Sequence, residues 1–144
     1  MGLTIAPLDI GRADALDLLA RSKLQTSDID GSISTFFGAT TNGALVGVIG
    51  LERRGPFGLV RSMAVDEAAR HRGIARQLYA RAEQEAHSDG LTCLYALTET
   101  AEAFFNAAGF ERVSRTDAPP EVAASTQFAA LCPASAALLR RPLA

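Results

Sequence analysis

The chain has 144 residues, of which 48% are hydrophobic and 21% are charged. This length suits one domain, which we expect over residues 1–144, and this composition excludes a disordered protein. The formal net charge of -2 argues against broad nucleic-acid binding, which needs a basic surface. No apolar run has the length of a membrane span, and the first residues lack a signal-peptide pattern. We therefore expect a cytoplasmic protein with no nucleic-acid or membrane partner.

The cysteine and histidine residues do not form a metal-binding pattern. Cys93 and Cys132 are far apart in sequence, and His71 and His87 stand at opposite ends of one predicted helix. Structural metal sites need several such ligands at short, regular spacing. We therefore predict no metal cofactor, and we expect both cysteines to stay reduced, with Cys132 packing as a small apolar side chain.

The first half of the chain predicts a strand and a helix followed by an antiparallel meander. In chain order the patterns predict a strand over 4–6, a helix over 14–21, a helical turn over 26–29, strands over 35–40 and 44–52, a turn over 53–58 and a strand over 59–65. Asn42-Gly43 lies between two of these strands and is a strong signal for a two-residue hairpin.

The second half alternates between helices and strands. The patterns predict a helix over 73–87, a strand over 91–97, a helix over 101–108, a strand over 110–115, a helical segment over 121–130 and a last strand over 136–140. In the first of these helices Ile74, Leu78, Ala82 and Ala86 repeat every four residues and predict one buried apolar stripe. Residues 91–97 are apolar on both faces, as expected of a central strand that is covered on both sides. The whole predicts a mixed α/β fold with a single central mixed sheet, an antiparallel meander and flanking helices.

A basic turn joins the strand that ends at Val65 to the longest predicted helix. The first N–H groups of a helix are unpaired and carry the positive end of its dipole, so they bind phosphate-like anions. Gly73 removes a side chain there, Arg70, Arg72 and Arg76 add positive charge, and His71 can add a hydrogen bond. The turn predicts an anion site, although the same residues also suit an ordinary solvated surface.

Two motifs resemble those of the GNAT superfamily of N-acetyltransferases. Arg70-x-x-Gly73-x-Ala75 resembles the family's acetyl-CoA signature, (Gln/Arg)-x-x-Gly-x-(Gly/Ala). Residues 101–110, Ala-Glu-Ala-Phe-Phe-Asn-Ala-Ala-Gly-Phe, are similar to its Ala-x-x-aromatic-aromatic-x-x-x-Gly-Phe helix. The resemblance extends over essentially the whole chain. It implies a GNAT-like acyl-CoA fold, acetyl-CoA as co-substrate and a small-molecule amine as acceptor.

The resemblance also implies which residues bind the cofactor. The signature loop and helix start would hold the pyrophosphate, and the preceding strand would pair with the pantetheine arm. The implied cofactor-binding residues are Met63, Ala64, Val65, Arg70, His71, Arg72, Gly73, Ile74, Ala75, Arg76, Thr98 and Phe105. A backbone N–H near Met63 or Ala64 would stabilise the oxyanion, so Met63 is a catalytic candidate.

Two of these positions depart from the family pattern. Phe105 stands where many members have a tyrosine that protonates the CoA thiolate, and phenylalanine cannot donate a proton. Water or another group would replace it, or the thiolate leaves unaided. Thr98 stands where the family often has asparagine, and its hydroxyl either hydrogen-bonds in the site or caps the following helix.

Acidic and basic residues near the implied cleft are candidates for catalysis and acceptor binding. A protonated amine needs a base before it can attack, and Glu52 is the predicted catalytic base, with Glu99 as the other candidate. Arg61 and Arg54 are predicted to bind a substrate carboxylate, because a guanidinium matches it with two parallel donors. Glu99 is also predicted to contact the acceptor substrate. The alternative for both arginines is an ordinary surface position.

Longer segments resemble the small amino-acid N-acetyltransferases, including a type found with arsenic-resistance genes. They are residues 50–52, 58–62, 94–105, 118–121, 126–128 and 131–136, and they also resemble glutamate N-acetyltransferases. The resemblance implies acetylation of a glutamate-like amino acid or an arsenic-containing analogue. A polyamine, an aminoglycoside or a protein amine remains an alternative acceptor. A non-catalytic, CoA-binding regulatory module is the alternative from another class, and a homodimer stays open.

Overall fold

A computed structural model describes residues 2–24, 26, 29, 31–125 and 136–143. The strands are β1 Thr4–Pro7, β2 Ser34–Thr41, β3 Ala44–Arg54, β4 Phe57–Val65, β5 Cys93–Thr98, β6 Glu111–Val113 and β7 Ala137–Pro142. The helices are α1 Ala13–Arg21, α2 Ile74–Ser88, α3 Glu102–Ala107 and α4 Pro120–Ala123. The strands form one mixed sheet in the order β1-β2-β3-β4-β5-β7-β6, which confirms the expected fold class.

The meander from β1 to β4 is antiparallel, as predicted. Asn42 and Gly43 have φ angles of 53° and 78°, the left-handed values that this type of two-residue hairpin turn requires. The flanking residues Thr41 and Ala44 pair with each other. The turn predicted over 53–58 is wrong in extent. The β3–β4 ladder continues to the pair Arg54–Phe57 and leaves only two residues between the strands.

The β4–β5 ladder is parallel and short. Its pairs run from Phe57–Cys93 to Val60–Ala96, although β4 continues to Val65 and β5 to Thr98. Beyond its last pair, β5 stays paired with β7, and β4 stays paired with β3. The two strands therefore part in the middle of the sheet, which opens a cleft along the free edge of β4.

A β-bulge interrupts β4 directly after this point. Gly50 pairs with Arg61 and Val48 pairs with Ala64, so two steps along β3 oppose three steps along β4. Ser62 lies inside the bulge with a φ of 56°, which is uncommon for a residue other than glycine. The bulge changes which N–H groups of β4 point toward the open edge.

Helix α2 covers one face of the sheet with the apolar stripe that the sequence predicts. Ile74, Leu78, Ala82 and Ala86 are buried there, together with Tyr79. Alternate residues of β5 pack in two different core clusters, which confirms a strand that is covered on both faces. None of the described helices is long and apolar enough to cross a membrane.

Several predicted boundaries need correction. β5 begins at Cys93, because the N–H of Leu91 still closes the end of α2 on Ala86. β6 ends at Val113, because Ser114 caps a 3-10 turn over Arg115–Asp117. The helical segment predicted over 121–130 forms α4 in its first part, and its residues after 125 lie outside the described ones, as does Cys132. Of the turn predicted over 26–29, the structure describes only the two end residues, which are joined by an N–H···O bond of 3.2 Å.

Replacing Gly50 by alanine should lower the free energy of unfolding by about 1–3 kcal/mol, the usual cost of overpacking a core. The added Cβ would lie 2.5 Å from Cε2 of the buried Phe36 ring, which has to move. Urea unfolding measures the change. Gly31→Ala is the control, since no described atom comes within 4 Å of its Cβ position. Equal stability of the two variants would contradict this packing.

Candidate functional site

A cavity of about 370 Å³ lies at the start of helix α2, between the end of β4 and α3. It is lined by Val65, Ala69, Arg70, His71, Gly73, Ile74, Ala75, Arg76 and Phe104. Gly73 is the N-cap of α2, with a φ of 76°, and no side chain caps the helix. No described atom comes within 4 Å of the place that a Cβ of Gly73 would take. The free N–H groups of the first turn therefore remain available to a ligand.

The charges around this cavity favour an anion. Arg70, His71, Arg72 and Arg76 are exposed, and the first turn of α2 contains no acidic residue. Arg70 is oriented by its own hydrogen bond, in which Nε donates to the carbonyl oxygen of Val65 at 3.1 Å. Positive side chains at a helix start oppose the helix dipole unless an anion lies between them. The residues fit a diphosphate, which is the group that acetyl-CoA would place there.

Most of the predicted cofactor-binding residues of the signature loop line this cavity. Arg72 does not belong to the lining, and Ala69 and Phe104 belong to it without having been predicted. Phe104 could have been predicted from the sequence, because it is the first of the two aromatic residues in the α3 motif. Met63 and Ala64 lie in β4 beyond its last pair with β5, on the strand that leads to the cavity.

The two positions that depart from the family pattern serve the core and the turn before α3. Phe105 is 4% exposed, and its ring packs edge-to-face against those of Tyr79, Phe104 and Phe110. Thr98 Oγ1 accepts the N–H of Ala101 at 2.8 Å. Neither residue belongs to the cavity lining, so the structure does not bring them to the anion site. The N-cap of α3 is Ala101 and no side chain caps it, so Thr98 orders the turn before the helix and does not cap the helix itself.

A buried polar cluster lies on the sheet face away from α2. Neighbouring residues of a strand point to opposite faces, and Leu51 and Val60 belong to the core under α2. Glu52 and Arg61 therefore lie on the other face, where their side chains are 2% and 0% exposed. Arg61 NH1 donates to Glu52 Oε1 at 2.9 Å, and Arg54 Nε donates to Glu52 Oε2 at 2.6 Å.

Two serines extend this cluster, and sequence reasoning missed both. Arg61 Nε donates to Ser62 Oγ at 3.0 Å. Ser34 pairs with Glu52 across β2 and β3, so its side chain lies on the same face, and its buried Oγ has no hydrogen-bond partner among the described residues. Buried hydroxyls normally find a partner, which a bound molecule or water would supply here. No local pattern in the sequence marks either serine.

Other residues near the cleft have different surroundings. Glu99 is exposed in the segment after β5. Tyr95 is buried with its ring edge-to-face against Phe57, and burial raises the pKa of its hydroxyl, so it stays protonated as a core residue. Burial likewise raises the pKa of the Cys93 thiol. Within the described part of the chain, no group of three potential ligands could hold a metal ion.

The family model for the acetyltransferase (GNAT) domain matches residues 32–112. A search of curated proteins found no match. A GNAT-family acetyltransferase from Staphylococcus aureus has a similar structure, with a TM-score of 0.79 and 18% identity over 99% of this chain and 100% of that one. The PaiA N-acetyltransferase of Thermoplasma acidophilum, in complex with coenzyme A, matches with a TM-score of 0.73 and 13% identity. The match covers 99% of this chain and 100% of that one.

A larger protein also contains this fold. N-acetylglutamate synthase from Neisseria gonorrhoeae, complexed with coenzyme A and N-acetyl-glutamate, gives a TM-score of 0.79 and 18% identity. The match covers 100% of this chain and 36% of that one. At these identities the likenesses show the fold.

Proposed function

The chain belongs to the GNAT acetyltransferase family, and on this basis we propose that it transfers the acetyl group of acetyl-CoA to the amine of a small acidic amino acid. The acceptor is glutamate-like or an arsenic-containing analogue. The observation that carries the proposal is the buried cluster of Glu52, Arg54 and Arg61 on the sheet face opposite the cavity. An acceptor that approaches the cleft from that face meets guanidinium groups, which bind carboxylates with paired N–H donors.

Arg54 is the residue that we propose to bind the acceptor's carboxylate directly. Its Nε is held by Glu52, its side chain is 26% exposed, and its terminal nitrogens have no hydrogen-bond partner among the described residues. Arg61 is buried, and we propose that it adds positive charge to the same site. The free hydroxyl of Ser34 offers one further hydrogen bond. Glu99 stays a proposed substrate-side residue.

The cofactor side of the proposal uses the cavity at α2. The N–H groups after Gly73, together with Arg70, His71 and Arg76, would hold the diphosphate, and Arg72 adds charge nearby. The free edge of β4 at Met63, Ala64 and Val65 would pair with the pantetheine arm, as an added strand does. Acetyl-CoA supplies the activated acetyl group as a thioester. This side does not depend on which amine is the acceptor.

In the proposed reaction the amine nitrogen bonds to the acetyl carbon and the carbon–sulfur bond breaks. The N–H of Met63 or Ala64 would stabilise the negative charge on the carbonyl oxygen. Both oxygens of Glu52 already accept guanidinium N–H groups, so we propose that a water molecule carries the amine proton to it. Because Phe105 has no acidic group, water would protonate the thiolate sulfur.

Release of the CoA thiol from acetyl-CoA over a panel of amines tests this function. The panel contains glutamate, its phosphinic and arsinic analogues, neutral amino acids, a polyamine and an aminoglycoside. We expect turnover with the glutamate-like acids, and the N-acetyl-glutamate bound to the synthase of similar fold makes glutamate the first acceptor to test. Turnover confined to cationic amines would overturn the acceptor class. Coenzyme A binding without any turnover would favour the regulatory module.

Replacing Arg54 by glutamine should raise the KM for the best acidic acceptor about tenfold, the usual loss when one hydrogen bond to a charged group disappears. The KM for acetyl-CoA should stay unchanged, because Arg54 lies on the other face from the cavity. Steady-state kinetics with each substrate varied in turn measure both constants. Arg112→Gln, at an exposed position on β6, is the control. An unchanged acceptor KM would remove Arg54 from the acceptor site.

A further inference from the structure

We infer that the hydrogen bond from Arg61 to Ser62 locks the β-bulge of β4 and thereby positions the backbone N–H groups that face acetyl-CoA. Arg61 and Ser62 are positioning residues in this reading, because they act through the backbone of Met63 and Ala64. The inference rests on the acetyltransferase activity of the family and does not depend on the identity of the acceptor.

The bond can form only in the bulged strand. Consecutive side chains of a regular strand point to opposite faces, so Arg61 and Ser62 could not meet there. In the bulge, Ser62 has a φ of 56°, and Arg61 Nε reaches Ser62 Oγ at 3.0 Å. A bond that exists in only one of two conformations stabilises that conformation. A left-handed serine needs such support, because this region costs a non-glycine residue free energy.

The guanidinium group that makes this bond is itself fixed. Its NH1 donates to Glu52 Oε1 at 2.9 Å, and Glu52 is held from its other oxygen by Arg54. Both Arg61 and Glu52 are buried, so bulk water competes little for these bonds. The chain of contacts from Arg54 through Glu52 and Arg61 to Ser62 therefore anchors the bulge to β3.

The position of the bulge explains why a lock matters here. The last pair between β4 and β5 is Val60–Ala96, and the bulge follows at the next residues. A one-residue change of register exchanges the N–H groups that point to the two edges of a strand. The bulge thus decides which N–H groups beyond Arg61 face the open cleft and which face β3.

Coenzyme A itself is the probe for this inference, and its dissociation constant is measured by titration calorimetry. Ser62→Ala removes the hydrogen bond and keeps the left-handed strain, so we expect the dissociation constant to rise about tenfold, or about 1.4 kcal/mol. Ser62→Gly also removes the bond, but glycine adopts positive φ freely. We expect its dissociation constant to lie within about threefold of the native value, because the backbone keeps the bulge unaided.

The contrast between the two variants has to be separated from simple stability. At a positive φ alanine lowers stability more than glycine does, so a second site must show what this loss does to binding by itself. Asn42→Ala and Asn42→Gly are the matched controls, since Asn42 has a φ of 53° in a hairpin outside the cavity. Native affinity in Ser62→Ala, or equal loss in both Ser62 variants, would overturn the inference. The kcat values of the two Ser62 variants with the best acceptor of the panel should follow the same order as their affinities, with Ser62→Ala the lower.

Discussion

Replacing Glu52 by glutamine is expected to lower the free energy of unfolding by about 3–5 kcal/mol, the cost of breaking a buried ion pair from one side. Glu52 accepts guanidinium N–H groups at both carboxylate oxygens, and the side chain of Arg61 is 0% exposed. Glutamine keeps the shape but removes the negative charge. The buried guanidinium of Arg61 then loses this carboxylate charge, which costs more than the pair contributes.

Urea unfolding at constant pH measures this change as a shift of the midpoint at an unchanged slope. Glu102→Gln is the control, because its pair with Arg112 is exposed and such pairs contribute little. The double variant Glu52→Gln with Arg61→Met should recover part of the loss, since it removes both buried charges. A single variant as stable as the control would mean that water reaches the cluster and screens its charges.

Replacing Gly73 by alanine is expected to weaken acetyl-CoA binding about 100-fold, which matches the loss of roughly 2.7 kcal/mol in charge-assisted hydrogen bonds. The position lies at the start of α2 in the lining of the cavity, and the space where a Cβ would stand holds no described atom. In the proposed binding mode a methyl group there would take the place of a diphosphate oxygen. It would separate that oxygen from the free N–H groups of the helix.

Gly90→Ala is a closely matched control for this experiment. Gly90 follows the other end of α2, with a φ of 73° against 76° for Gly73, and its Cβ position is equally open. Both variants should lose about 1 kcal/mol of stability from the strained backbone. Only Gly73→Ala should change the dissociation constant measured by calorimetry. Equal affinities in the two variants would place the diphosphate elsewhere.

Local patterns in the sequence predicted the elements around the cavity at the start of α2. Asn42-Gly43 forms its hairpin because the two residues adopt left-handed angles with little help from the rest of the chain. The stripe from Ile74 to Ala86 lies against the sheet because its spacing matches the turn of a helix. Arg70, Gly73 and Ala75 line the cavity because they lie in one short segment at the start of a helix. No contact with a distant part of the chain is needed to bring them together.

The proposed acceptor side could be predicted only in part. Glu52, Arg54 and Arg61 were each selected by residue type, but their hydrogen-bonded arrangement depends on the pairing of β3 with β4. Ser34 escaped notice because its importance comes from lying opposite Glu52 on another strand. The proposed role of Ser62 depends on a bulge whose register is set by β3.

The order of helices and strands, the apolar stripe of α2 and the basic turn before it follow from contacts within short stretches of chain, and these were visible in the amino-acid sequence. The parting of β4 from β5, the bulge at Ser62 and the joining of two arginines to one glutamate come from contacts between distant residues. Such contacts depend on strand register, and a shift of one residue would exchange the two faces of a strand. Tertiary packing therefore decided which polar side chains are buried together.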